Sequence, residues 1–131
     1  MKGPIIEIRN MTRGKAPRVP FKRIVGDILP KRYRLSLCLC GDTLSRRMNR
    51  TYRKKTYVPN VLSFPLRKYE GEIFLNVRKA GHEARVFGVS PRDRVALLFV
   101  HGCFHLFGLK HGDKMERLEK QVLKKFGFKT V

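Results

Sequence analysis

A chain of 131 residues can bury a core without disulfide staples, and residues 1–131 are read as a single domain. Thirty Lys and Arg against ten Asp and Glu give a formal net charge of +20, which makes a chain of this size repel itself unless it works beside a polyanion, and nucleic acid is the first candidate. The 42% hydrophobic content exclude a disordered basic tail, and the longest apolar stretch, Val95 to Leu109, is too short to span a bilayer and is broken by two histidines, so no membrane partner is expected.

The N-terminus lacks the apolar h-region of a signal peptide, so a soluble, cytoplasmic protein is expected. Ile5 to Ile8 reads as a first short strand, and the basic stretch from Arg9 to Pro20, with Gly14, Pro17 and Pro20, reads as a loop leading to a helix from about Phe21 to Leu29. Arg34 to Cys40 alternates polar with apolar residues or cysteine, the period of a strand with one buried face. Asp42 or Thr43 can cap a helix running to Arg53, with Leu44, Met48 and Tyr52 facing the core. Its other side carries Arg46, Arg47, Arg50 and Arg53, continued by Lys54 and Lys55. Solvated faces normally mix signs, and no acidic residue lies between Asp42 and Glu70, so this side is read as an RNA-binding, phosphate-docking face in preference to an ordinary solvated one. Val61 to Leu66 and Glu72 to Asn76 are further strands joined by a turn near Glu70 and Gly71. Val77 to Val86 forms a helix broken around Gly81, and a terminal helix runs from about Lys114 to Phe126. Strands alternate with helices, so the fold class is α/β with one small sheet.

The segment Ser90 to His111 carries the chemistry. Ser90 is a good N-cap, Pro91 suits the first helical position, and Asp93 can close a capping box. From Val95 to Phe107 almost every residue is apolar right round the helix, the pattern of a helix buried on all sides. His101 and His105 are four apart, so both imidazoles lie on one face and can aim at one point. Gly108 stands where a helix ends in the left-handed conformation, which lets His111 return to that point. Each could be a core histidine with a hydrogen-bond partner. Three of the four histidines of the chain, at ligand spacing in a helix with no other polar partner, fit a metal better; the fourth, His82, is read as a surface residue. Three protein ligands leave zinc an open position for water, the catalytic pattern. Zinc, one per chain, is favoured by three imidazoles, although nickel or copper would accept them too.

The spacing is also that of the metzincin proteases, whose motif places a Glu directly after the first His as general base. Here Gly102 stands at that position, which argues against peptide hydrolysis and is read as open room for a bulkier substrate. Cys38, Cys40 and Cys103 are read as small core residues, because the C-x-C pair lacks further cysteines for a metal site of its own.

HGCFHLFGLKH resembles the motif H-G-x-L-H-L-x-G-Y-D-H of the YbeY endoribonucleases, bacterial rRNA maturation factors, with all three histidines and both glycines in place. NRTYRKKTYVPNVLSFP, from Asn49 to Pro65, is similar to the family's N-x-x-Y-R-x-K-x-x-P-T-D-V-L-S-F-P, and GEIFLN to its G-D-I strand. The three blocks follow the family's order over roughly the last two-thirds of the chain. Lys110, Leu109, Phe104 and Asn60 depart from the family's Asp, Tyr, Leu and Asp, and the connection after His111 is shorter and less acidic. A carboxylate beside a ligand histidine commonly fixes its tautomer, a role Lys110 cannot fill. The resemblance implies a mixed four-stranded sheet packed with about five helices, with the metal site on a buried helix. It also implies an endoribonuclease acting in 3′-end maturation of small-subunit rRNA and in ribosome quality control, with the small ribosomal subunit and ribosome-assembly proteins as partners; zinc dependence is expected from the three imidazoles, and single-strand specificity because metal-centred chemistry must reach a backbone that is not locked in a helix. Arg53 matches the family's functional arginine, and a guanidinium there could clamp a phosphate or stabilise developing charge. Two alternatives stay open: a non-catalytic, basic rRNA-binding assembly factor, and a zinc hydrolase of another substrate.

Overall fold

The computed structural model describes residues 3–129. Four strands and five helices alternate: β1 (Ile5–Asn10), α1 (Phe21–Ile28), β2 (Arg34–Cys40), α2 (Asp42–Arg53), β3 (Val61–Arg67), β4 (Glu70–Asn76), α3 (Val77–Phe87), α4 (Pro91–Phe107) and α5 (Asp113–Lys125). The sheet order is β1-β2-β4-β3, with β1, β2 and β4 parallel and β3 antiparallel to β4. The α/β class and the mixed four-stranded sheet implied by the family resemblance are both observed. No helix is long and apolar enough to cross a membrane among the described residues.

The period of two along β2 divides the core. Leu35, Leu37 and Leu39 face the large cluster that includes Phe99, Val95, Ile24, Ile73 and Leu123, and Cys38 and Cys40 face a smaller one with Leu62 and Phe74. Leu44 and Met48 of α2 cover the smaller cluster, so α2 lies on the face of the sheet opposite the other helices. On the larger face α4 is central, meeting α1, α3, α5, β3 and β4.

Ser90 caps α4 as expected, its Oγ accepting from Asp93 N–H at 3.0 Å, with Pro91 at the first position. Asp93 does not close the expected capping box by accepting from the Ser90 backbone N–H. Its Oδ2 accepts from the Ser90 hydroxyl at 2.9 Å and its Oδ1 from the Lys129 N–H at 3.1 Å, which ties the end of the chain to the start of α4. Burial around α4 is complete at Val95, Ala96, Phe99, Val100 and Cys103, but Leu97, His101 and His105 form a half-buried line and Phe107 is exposed.

Three local expectations are corrected. The N-cap of α2 is Gly41, not Asp42 or Thr43; Asp42 enters the first turn, where its Oδ1 accepts from Asn76 Nδ2 at 2.8 Å. Ser45 and Asn49 are the fully buried positions of α2, whereas Tyr52 is 65% exposed, its ring packing at the edge of the small cluster against Phe64 of β3. α3 is unbroken at Gly81, since its buried positions, Ala80 and Ala84, lie on a different face and only their small side chains meet the core.

Candidate metal centre and its cleft

Two turns of α4 and the glycine turn after it assemble the centre. Gly108 has φ 105°, its N–H donates to His105 O, and Leu109 N–H donates to Phe104 O, a reversal that needs a residue without a Cβ. The chain then carries His111 back over the helix face. His105 Nε2 lies 3.1 Å from His101 Nε2 and 3.2 Å from His111 Nε2. Tetrahedral ligation at a Zn–N distance of ~2.0–2.1 Å needs nitrogens about 3.3 Å apart, so the three imidazoles fit one metal ion. This is the only group of three or more such ligands among the described residues.

A carboxylate that the sequence reading missed completes the arrangement. Glu119 of α5 is buried, and its Oε2 accepts from His101 Nδ1 at 2.5 Å. With the proton held on Nδ1, Nε2 keeps a lone pair for the metal. Glu119 sits on the buried stripe of α5 with Met115 and Leu123, and a carboxylate on an otherwise apolar stripe was the available signal. Lys110 is exposed and makes no hydrogen bond to His111 among the described residues, so the carboxylate of this site comes from α5 and not from the position before His111. The His105 pKa is lowered by burial first and then by the neighbouring His101 and His111, both of which disfavour the charged imidazolium.

The three histidines and Glu119 open into a cleft of about 790 Å³ whose walls also include Arg53, Tyr57 and Ser63. Arg53 thus lines the same cleft as the histidines, and the other basic residues expected to bind RNA do not. Arg46, Arg47, Arg50, Lys54 and Lys55 are exposed outside this cleft, and none joins an ion pair among the described residues. Lys54 ends α2 with φ 58°, turning the chain toward the segment where Asn49 Nδ2 donates to Tyr57 O at 3.0 Å.

Gly102 does not provide open room. A Cβ there would lie 2.9 Å from Ser63 Oγ and 3.1 Å from Ile73 Cδ1, while Ser63 Oγ donates to Gly102 O at 3.2 Å. The glycine lets α4 seat against β3 and β4. The cysteines are buried and apart from the histidines; burial pushes the Cys40 thiol up to about 11 and that of Cys103 higher still. His82 is exposed, as expected.

A sequence model of the family described as Endoribonuclease YbeY matches residues 18–127. The Endoribonuclease YbeY of Helicobacter pylori is 34% identical over 122 residues, which cover 89% of this chain and 86% of that protein. That of Nitratiruptor sp. is 31% identical over 130 residues, covering 94% of this chain and 90% of its own. The solution structure of a Thermotoga maritima protein shares the fold, with a TM-score of 0.68 at 22% identity over 93% of this chain and 91% of the other. Read with the histidine centre and the helix that carries it, these matches mean that the chain belongs to the YbeY endoribonuclease family.

Proposed function

We propose that this protein is a zinc-dependent endoribonuclease that hydrolyses phosphodiester bonds of single-stranded RNA, with one zinc held by His101, His105 and His111. The observation that carries the reading is the convergence of three Nε2 atoms within one coordination sphere, in a cleft that Arg53 also lines. When bound, zinc supplies a Lewis acid for a phosphate oxygen and makes hydroxide available near neutral pH. The histidines hold the ion, and Glu119 keeps the His101 ring in the ligating tautomer. Arg53 offers a planar fork to the phosphate oxygens where charge builds during cleavage. Arg46, Arg47, Arg50, Lys54 and Lys55 hold flanking phosphates in a salt-sensitive way. Maturation of the 3′ end of small-subunit rRNA and quality control of ribosomes, in the cytoplasm and beside ribosome-assembly proteins, are the biological setting we propose.

Gly102 supports this reading over a protease: the general-base carboxylate of a metzincin has no space to stand there. In the test, purified protein is assayed on single-stranded RNA beside His105→Ala and Arg53→Ala, with zinc measured by elemental analysis. Cleavage and zinc are both lost in His105→Ala, and Arg53→Ala keeps zinc while cleaving about 10²-fold more slowly or worse. Cleavage by His105→Ala at the wild-type rate would rule the catalytic metal out.

A further inference from the structure

Arg94 is the second guanidinium that lines the cleft, Arg53 being the other. It lies seven residues before His101 on α4, so both sit on one helix face about 10 Å apart along the axis. Arg94 Nε donates to Glu83 Oε1 at 2.9 Å, and the ring of Phe87 lies 4.8 Å from its Cζ. Glu83 is held in turn, each of its oxygens accepting from Asn60 Nδ2 at 3.2 Å. With its side chain only 15% exposed, the guanidinium is fixed before any ligand arrives. It makes no hydrogen bond through its Nη atoms among the described residues, which leaves those donors for a phosphate. Between Arg94 and the histidines, Leu97 and Leu98 of α4 and Val61 of β3 line the cleft with apolar surface. An apolar floor between two anion-binding points suits a base lying between two backbone phosphates.

We infer that Arg94 is a positioning residue that anchors a backbone phosphate of the RNA other than the one at the histidines, and so sets the register of the strand in the cleft. This rests on the RNA reading above and names the residue that fixes where along the strand the metal acts. Glu83 orients the guanidinium and also brings a negative charge close to the strand. Neutralising Glu83 therefore separates a phosphate anchor from a strut that merely joins α3 to α4.

The test measures binding of a short, fluorescently labelled 2′-O-methyl oligoribonucleotide, which keeps the phosphates, to the zinc-loaded full chain across a salt series. Arg94→Met weakens binding roughly tenfold and Arg94→Lys roughly threefold, since the lysine keeps the charge but not the fork. The slope of log affinity against log salt becomes shallower by about 0.7 in Arg94→Met, the loss of one phosphate contact to a single strand. Glu83→Gln, which can keep accepting from Arg94 and Asn60, binds more tightly than wild type. Unchanged affinity and slope in both Arg94 variants, with weaker binding in Arg53→Ala, would overturn the Arg94 assignment and leave the RNA reading standing. No effect of either arginine would overturn both.

Discussion

Glu119 touches the centre through one contact, its Oε2 on His101 Nδ1, so removing it separates the orientation of a ligand from ligation itself. In Glu119→Ala the His101 ring loses the partner that selects its tautomer, and zinc affinity falls about 10–100-fold while the three ligands remain. Glu119→Gln falls less, because an amide oxygen still accepts from Nδ1. Competition against a chromophoric zinc chelator measures both, and an alanine variant that binds zinc as tightly as wild type would show that His101 is oriented by something else. The clustering of the three histidines was legible in the sequence because helical spacing alone aligns His101 with His105, and Gly108 marks the reversal that returns His111. Glu119 was not legible. Its partner is eighteen residues away on another helix, and only the packing of α5 on α4 brings the two together.

Elements impose a second layer of constraint, and α4 shows it best. The helix could be read end to end from its cap, its first-turn proline and its glycine stop, because these are local signals. Which residue faces which neighbour was not local. Gly102 invites reading as space beside a metal, yet its missing Cβ accommodates β3 and β4. Gly102→Ala must push Ser63 and Ile73 aside and strain the Ser63 hydrogen bond to the Gly102 carbonyl, which costs about 1–3 kcal/mol. Urea unfolding should show a lower midpoint with an unchanged slope, and a midpoint equal to wild type would mean that the seat has slack. The same limit applies to α2, where a repeat of four correctly placed Leu44 and Met48 toward the sheet and carried Tyr52 with them, although that ring stays 65% exposed. Gly81 punctuated a helix in the sequence without breaking it in space, because one glycine costs a helix only about 1 kcal/mol and the packing of Ala80 and Ala84 outweighs that.

Across the whole molecule, several of the ten acidic residues are engaged in the fold. Glu83 pairs with Arg94, Asp27 with Lys125, Asp42 with Arg78, and Glu119 with His101. The surplus of +20 therefore stands largely unanswered on the surface, including the α2 face of Arg46, Arg47 and Arg50. Salt then acts on stability and on RNA binding in opposite directions. Raising ionic strength from ~0.1 to ~1 M shortens the screening length from about 10 Å to about 3 Å, which relieves repulsion among like charges in the folded chain and raises Tm. The same screening and counterion competition weaken RNA binding by a log-log slope of about −0.7 for each phosphate contacted, so four contacts on Arg53 and its neighbours give about −3. Thermal melts and RNA titrations in one chloride series check both trends together. A Tm that falls with salt would mean that the surface charges are net attractive. An RNA slope near zero would mean that the basic face does not meet phosphate, and the charge would then require a different polyanion or a different explanation altogether.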